Sequence, residues 1–307
     1  MVENRTLSIE ETNRALKRKS RRSKAGHIIA LACVYFVLLL VYAPILYITV
    51  FSFTSATTTG MWTGFSLKSF NGLFDSLNPD GVAIWTAALN TMLVAVTSAT
   101  LSVILGTLGA IGIYYSRKKL WKKSLEFANQ IPIVNAEIVT ALSLCVLFIS
   151  VARMQTNFFT LVIGHMVLSL PYVVLSVLPK LEQMDPSLYE AAMDLGATQT
   201  QALWKVVIPD IVPGILSGFM LAVTLSLDDY VITAFTKPDA PLWESDIVEE
   251  FQTLSTYVEG TLRLGTPIEV RSFTAILFGV ILLVMIGMYI KNGVDMKKAK
   301  KSFKKGV

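Results

Sequence analysis

Long stretches of this chain carry no charged side chain, and nothing else in the sequence restricts its fold as much. The hydrocarbon core of a bilayer is roughly 30 Å thick, so a helix rising about 1.5 Å per residue needs about 20 apolar residues to cross it. Runs of that kind occupy residues 28–53, broken only by Pro44, and about 82–115. Others lie within 126–153, which holds the single charge Glu137, and within 153–180. A fifth extends from Asp210 past Asp228 to Phe235, and a sixth lies between Arg271 and Lys291. Backbone amides in lipid have no water to bond, so each run is expected to be helical, giving an all-α integral membrane fold of six transmembrane helices. The second run exceeds one crossing and is expected to tilt or protrude. Only 16% of the 307 residues are charged, where soluble domains carry about a quarter. That deficit excludes a disordered or disulfide-stapled secreted chain and argues against a soluble enzyme.

Lysine and arginine mark the two sides. Of the 27, 22 fall in the N-terminal tail, the segment 117–123, the segment 180–205 and the end from Lys291. The remaining 5 are Lys68, Arg153, Lys237, Arg263 and Arg271. This asymmetry places both termini in the cytoplasm. The net charge of +5 therefore reads as a topology signal, and no nucleic-acid partner is expected. The chain divides into a basic cytoplasmic tail 1–26, a transmembrane domain 27–291 and a second basic tail 292–307. The first run is about twice the length of a signal-peptide core and comes after a long basic tail, so it reads as an uncleaved anchor. Cys33 and Cys145 fall inside spans, which favours packing roles over a disulfide.

The stretch 181–209 is too patterned for a simple connector. Asp185 is a good N-cap and Pro186 a good first helical residue. Leu188, Ala191, Ala192 and Leu195 share one face, and Gly196 suits the position that ends a helix. Thr198 or Thr200 can cap a second short helix through Trp204 to Val207, which Pro209 is expected to stop. Glu190 and Asp194 are like charges four residues apart, unfavourable in an isolated helix. They make more sense facing a basic partner, although a solvated amphipathic loop helix is the plainer reading.

These residues carry a resemblance. Glu190-Ala191-Ala192, three residues, Gly196, nine residues, then Val206-Val207-Ile208-Pro209 resembles the E-A-A, three, G, nine, I-x-L-P loop of ABC-importer permeases. The resemblance implies the type I (MetI-like) permease fold in the plasma (inner) membrane of a prokaryote. It also implies that the loop at about 182–209 docks on an ATPase through Glu190, Ala191, Ala192, Asp194, Gly196 and Pro209. The similarity runs from about Phe51 to Ile290 and points to the spermidine/putrescine (PotC-type) branch. It rests there on Asn135-Ala136-Glu137-Ile138-Val139, where that branch has M-P-D-I-I, on Leu225-Ser226-Leu227-Asp228-Asp229-Tyr230, and on Gly265-Thr266-Pro267-Ile268-Glu269-Val270. The resemblance thus implies a polyamine importer in which this chain supplies half of the path and has no catalytic site or cofactor. Its implied partners are a second permease (PotB-type), two copies of a P-loop ATPase (PotA-type) and an external polyamine-binding protein (PotD-type). The segment 237–271 looks longer than is usual for the branch.

Carboxylates inside spans are costly, and in transporters they commonly mark a substrate or ion path. Glu137 falls about ten residues into the third span, and Asp228 and Asp229 toward the outer part of the fifth. Ser226, Asp229, Thr233 and Thr236 repeat at helical spacing, so one continuous helix is expected to turn this polar stripe toward a water-filled path or another helix. These carboxylates complement the ammonium groups of a polyamine, with Tyr230, Trp62 or Trp243 as cation–π surfaces. The expected substrate pathway is thus Glu137, Ser226, Asp228, Asp229, Tyr230 and Thr233. Pairing within helix contacts, or capping at the outer end, is the structural alternative.

Gly106, Gly109 and Gly112, and Gly214 with Gly218, are expected to let helices approach closely. No G-x-x-x-x-G-K-[ST] occurs, so ATP binding through a P-loop is left to a partner. His27 and His165 have no metal-ligand spacing around them. The acidic outer segment, with Asp239, Glu244, Asp246, Glu249 and Glu250, is expected to form an amphipathic surface helix around Ile247, Phe251, Leu254 and Tyr257. Alternative readings are a permease for another solute such as ferric iron or sulfate, an ion-coupled secondary transporter or channel that needs no ATPase, and a membrane scaffold. The acidic path argues against an anion.

Overall fold

A computed structural model describes residues 29–57, 60–116, 118–238, 240–241 and 250–305. The N-terminal tail, Arg117 and the loop residues Asp239, Trp243, Glu244, Asp246, Ile247 and Glu249 lie outside them. The described residues are helical, with no strand and one isolated bridge between Thr54 and Phe65. Five helices among them are long and apolar enough to cross a membrane, and a bent pair makes a sixth.

The larger of two compact units covers residues 72–270. Its first long helix is α3 (Pro79–Tyr114); α1 (Ile29–Phe51) and α2 (Lys68–Phe74) precede it. Asn78 caps α3 by accepting the Asp80 amide at 3.2 Å, and Pro79 fills the first turn, where no amide is needed. The third run departs from expectation. In place of one helix with Glu137 near its middle, the chain forms α4 (Lys119–Val134) and α5 (Glu137–Val146), the latter extended by a π turn over Leu147–Val151. The two halves are bent by 101°. Pro132 offers no N–H to the Ala128 carbonyl, and α4 stops two residues later. Asn135 and Ala136 are extended, and the side-chain amide of Asn135 donates across the break to the Thr140 hydroxyl at 2.9 Å.

α6 (Phe158–Gln183) starts from a reciprocal cap between Asn157 and Thr160. Beyond it come α7 (Pro186–Asp194) and α8 (Gln199–Ala202), the latter capped by Thr198. Pro209 does not end a helix as expected. A π turn over Leu203–Val207 leads into α9 (Ile208–Asp228), with Pro209 in its first turn. The wider turn shifts the hydrogen-bond register just ahead of the ring, which has no N–H to give. Gln199–Asp228 consequently runs as one long spanning element. The fifth run is itself broken, because Asp229 is extended and α10 (Val231–Thr236) restarts beyond it. α11 (Leu254–Leu264) completes the unit, which ends as α12 (Ile268–Lys305) begins.

The core lies where α3, α6 and α9 pack together, around Ala99, Ala110, Val173, Val177, Leu181, Ile211 and Ala222. Glycine sets the approach at three places. A Cβ on Gly106 would meet Val173 at 2.8 Å, one on Gly214 the Ser176 carbonyl at 3.0 Å, and one on Gly218 the Val173 Cα at 3.3 Å. Gly109 has only ordinary contact and Gly112 has open space, so the first expected glycine face reduces to Gly106.

The smaller unit joins the chain up to Asn71 with the chain from Arg271. α1 is exposed along its length, as suits a helix surrounded by lipid. The segment after it is pinned by Arg271, which is buried and donates to the Ala56 carbonyl at 2.9 Å and the Thr57 carbonyl at 2.6 Å. Phe53 packs on Phe65 and Phe70, and Trp62 meets Phe51 edge-on. α12 continues to Lys305, past the expected end of the spanning domain at 291.

Candidate functional site

The two helix breaks meet at a cavity of about 430 Å³ within the larger unit, inside the roughly 300–1,000 Å³ range of small-molecule sites. Glu137, Asp228, Asp229 and Tyr230 all border it, together with Asn135, Thr140 and Tyr172. The sequence placed Glu137 mid-helix; it is instead the first residue of α5, where the helix dipole favours a negative charge. Asp228 and Tyr230 are exposed to the opening, while Asp229 is buried in the wall. The carboxylates of Glu137 and Asp228 are therefore open to one space, with that of Asp229 sealed in the wall behind them, and among the described residues no basic side chain lines it.

Ser226 and Thr233 were expected on the same path, yet neither borders the cavity. Both are buried behind it, and the helix expected to carry them is interrupted at Asp229. Thr233 donates its hydroxyl to Asp229 Oδ2 at 3.0 Å, and its amide bonds the same oxygen at 2.9 Å. The Ile232 amide reaches Oδ1 at 3.3 Å. Asp229 thus satisfies the free amides that begin α10, as a carboxylate removed from water must do with some donor.

His165 of α6 is the residue that spacing in the sequence did not reveal. It is 1% exposed, with Nδ1 2.7 Å from Ser226 Oγ, Nε2 2.9 Å from Thr233 Oγ1 and Nε2 3.5 Å from Asp229 Oδ2. Ser98 of α3 extends the network to Ser226 at 3.3 Å, and Ser102 pairs with Ser169 at 2.7 Å. The available signal was polarity itself: hydroxyls and an imidazole inside otherwise apolar spans. Trp62 belongs to the smaller unit and Trp243 lies outside the described residues, so Tyr230 is the one expected cation–π surface seen at the cavity.

The acidic segment after α10 is less separate than its sequence suggests. Phe251 is fully buried against Val94 and Leu161, ahead of the helix rather than on its surface. Asn90 donates to the Gln252 carbonyl at 2.8 Å, and the Leu254 amide donates to Thr91 at 2.8 Å. The Ser255 hydroxyl donates to the Asp229 carbonyl at 2.6 Å, tying α11 to the helix break. Lys237 pairs with Glu250, which holds that carboxyl below its ordinary range.

α7 forms as its local signals dictate. Asp185 accepts the Ser187 amide at 3.0 Å. Gly196 takes φ +86°, while its amide bonds the Met193 carbonyl and the Ala197 amide bonds that of Ala192. This pair of bonds is the Schellman closure of a helix. No residue of α7 is buried. Leu195 is 90% exposed and Trp204, one short helix further on, 63%. Glu190 and Asp194 are exposed, and among the described residues neither is ion-paired. Tyr189 turns inward onto the core and onto Tyr115.

The family model described as "binding-protein-dependent transport system inner membrane component" matches residues 102–298. The putrescine transport system permease protein PotI of Escherichia coli (strain K12) is 30% identical over 249 residues, covering 79% of this chain and 83% of that one. The spermidine/putrescine transport system permease protein PotC of the same strain is 31% identical over 245 residues, covering 80% and 86%. A chain of a bacterial ABC transporter involved in the import of the acidic polysaccharide alginate superposes with a TM-score of 0.61 at 17% identity, over 89% of this chain and 97% of that one. The last likeness speaks to fold.

Proposed function

Since this chain belongs to the family of binding-protein-dependent transport system inner membrane components, we propose that it is the permease subunit of an ATP-driven polyamine importer, with putrescine and spermidine as the substrate class. The observation that carries this reading is the cavity at the two helix breaks, bordered by Glu137, Asp228 and Asp229 and by no basic side chain among the described residues. An ammonium group leaving water needs hydrogen-bond acceptors and opposite charge; the open carboxylates of Glu137 and Asp228 supply both, with the charge of Asp229 close behind them and Tyr172 and Tyr230 on the same lining. The same wall repels anions.

The chain supplies half of a path completed by a second permease, and an external binding protein delivers the substrate. Both termini are cytoplasmic. ATP hydrolysis belongs to a pair of P-loop ATPase subunits that dock on the exposed surface of α7, with Glu190, Ala191, Ala192, Asp194 and Gly196 at the contact. The continuous element Gln199–Asp228 begins beside α7 and ends at the cavity. It is 30 residues long, roughly 45 Å at helical rise. A displacement of α7 by the closing ATPase dimer therefore reaches Asp228 and Asp229 through one stiff rod.

The test is uptake of labelled putrescine and spermidine into proteoliposomes holding the permease pair, the ATPase and the binding protein. Uptake that requires ATP, and that excess unlabelled polyamine but not sulfate suppresses, is the expected result. Uptake without the ATPase overturns the importer reading. ATP-driven uptake of a different solute, with polyamines inert, overturns the substrate.

A further inference from the structure

We propose that His165 is a positioning residue for transport: it bridges the break between α9 and α10 and holds Asp229 in the cavity wall, and with it the turn that presents Asp228 and Tyr230 to an ammonium group. This rests on the reading of the chain as a polyamine permease. Asp229 sits in the extended residue between two helices, so no regular backbone hydrogen bonds fix its direction. What fixes it is the start of α10: the Ile232 amide on Oδ1, and the Thr233 amide and hydroxyl on Oδ2.

The direction of the next bond comes from counting protons. A carboxylate only accepts, and a threonine hydroxyl has a single hydrogen to give. With that hydrogen on Asp229 Oδ2, the 2.9 Å contact between Thr233 Oγ1 and His165 Nε2 is donated by the imidazole. Polarised by this donor, the Thr233 hydroxyl is a stronger donor to Asp229. The other ring nitrogen bonds Ser226, at 2.7 Å. Ser226 precedes the break and Thr233 lies beyond it, so a single imidazole from α6 ties the two sides together. The ring is carried by α6 and is set by these two bonds at its opposite nitrogens.

His165 is buried and absent from the cavity lining, so it acts on substrate through Asp229. The experiment uses the full complex in proteoliposomes and reads polyamine moved per ATP hydrolysed, alongside complex yield. Three variants separate donor chemistry from bulk. Gln at 165 carries an N–H to about the place of imidazole Nε2, Asn carries one only as far as Nδ1, and Leu carries none. His165→Gln is expected to keep most of the wild-type ratio. His165→Asn and His165→Leu are expected to lower it about tenfold, the scale of one buried hydrogen bond lost, while binding-protein-stimulated ATP hydrolysis continues.

Equal ratios for the three variants, or Leu matching or exceeding Gln, would mean that the ring only fills space, and the proposal falls. If the Asn and Leu complexes do not assemble, Thr233→Val and Thr233→Ser decide. Valine removes the relaying hydroxyl at nearly constant volume and must lower the ratio, whereas serine restores the hydroxyl and must recover it. A Val variant as well coupled as the Ser variant overturns the proposal. Failure of the wild-type complex to import polyamine is a separate outcome that overturns the functional reading, and this inference with it.

Discussion

Two groups of carboxylates stand out in this chain, and the fold treats them in opposite ways. At the cavity, Asp229 is buried and the protein itself provides its donors: the Ile232 and Thr233 amides, which would otherwise lack a partner, and the Thr233 hydroxyl. On α7, Glu190 and Asp194 stand in solvent, and no residue of their helix is buried. A carboxylate taken out of water must find its bonds inside the structure, whereas an exposed one leaves them to water or to another chain. Changes at the cavity should therefore damage folding and transport together. Changes on α7 should spare the fold and remove coupling alone.

The largest effect is expected at Asp229. Asp229→Leu strands the Ile232 and Thr233 amides, at a cost of about 1–3 kcal/mol for each buried group left unpaired. The purified permease should melt well below the wild type and import nothing. Asp229→Asn keeps an acceptor oxygen and removes the charge, so the melting temperature should recover while uptake stays about a hundredfold down, near 3 kcal/mol in transport terms. Thermal unfolding in detergent and uptake in vesicles check the two halves. Wild-type uptake by the Asn variant would show that the charge plays no part, and the contrast between the regions would lose one side.

Gly196 tests the other region. Its φ of +86° lies where a side chain costs about 1–2 kcal/mol, and the space around it is open, so no clash adds to that cost. Gly196→Val is expected to misdirect the turn after α7 and lower ATP-driven uptake about tenfold, with the melting temperature of the permease unchanged. Retained coupling would mean that the bend at Gly196 does not guide the docking of the ATPase. A large drop in melting temperature would mean that the loop is part of the core after all.

The same contrast explains what the sequence made legible. α7 could be read residue by residue because its signals are local: Asp185, Pro186, Gly196 and Thr198 each act on amides within a few positions. The spans were readable because lipid demands the same thing of every residue along them. The two breaks were not. Pro132 inside a span is compatible with a kinked helix or a broken one, and nothing near Asp229 in the sequence resembles a stop signal. Helical spacing did bring Ser226, Asp229 and Thr233 to one side, but toward His165 rather than toward water. The imidazole lies 61 residues from Ser226 and 68 from Thr233, a separation that local pattern does not bridge.

The smallest effect is expected at the cap of α7, where it separates the two regions most cleanly. The Ser187 amide, bonded to Asp185, holds that carboxyl below its ordinary range. A carboxyl depressed in the folded state stabilises it above the unfolded pKa, and the contribution is lost as pH falls through the folded value. Hydrogen-exchange protection of the amides in 185–195, corrected for intrinsic rates, should accordingly weaken on acidification of the wild-type permease. Asp185→Asn accepts the same amide and does not titrate, so its protection should stay level across that range. Asp185→Ala should be weakly protected throughout. At any one pH, protection in 226–236 should be the same in the wild type and in both variants, because the donors to Asp229 and the imidazole behind it do not involve the cap. An Asn variant that loses protection with acid as the wild type does would assign the effect to another group. Loss in 226–236 that the Ala variant shows and the wild type at the same pH does not would mean that the loop and the cavity share one stability and are not the separate regions their burial describes.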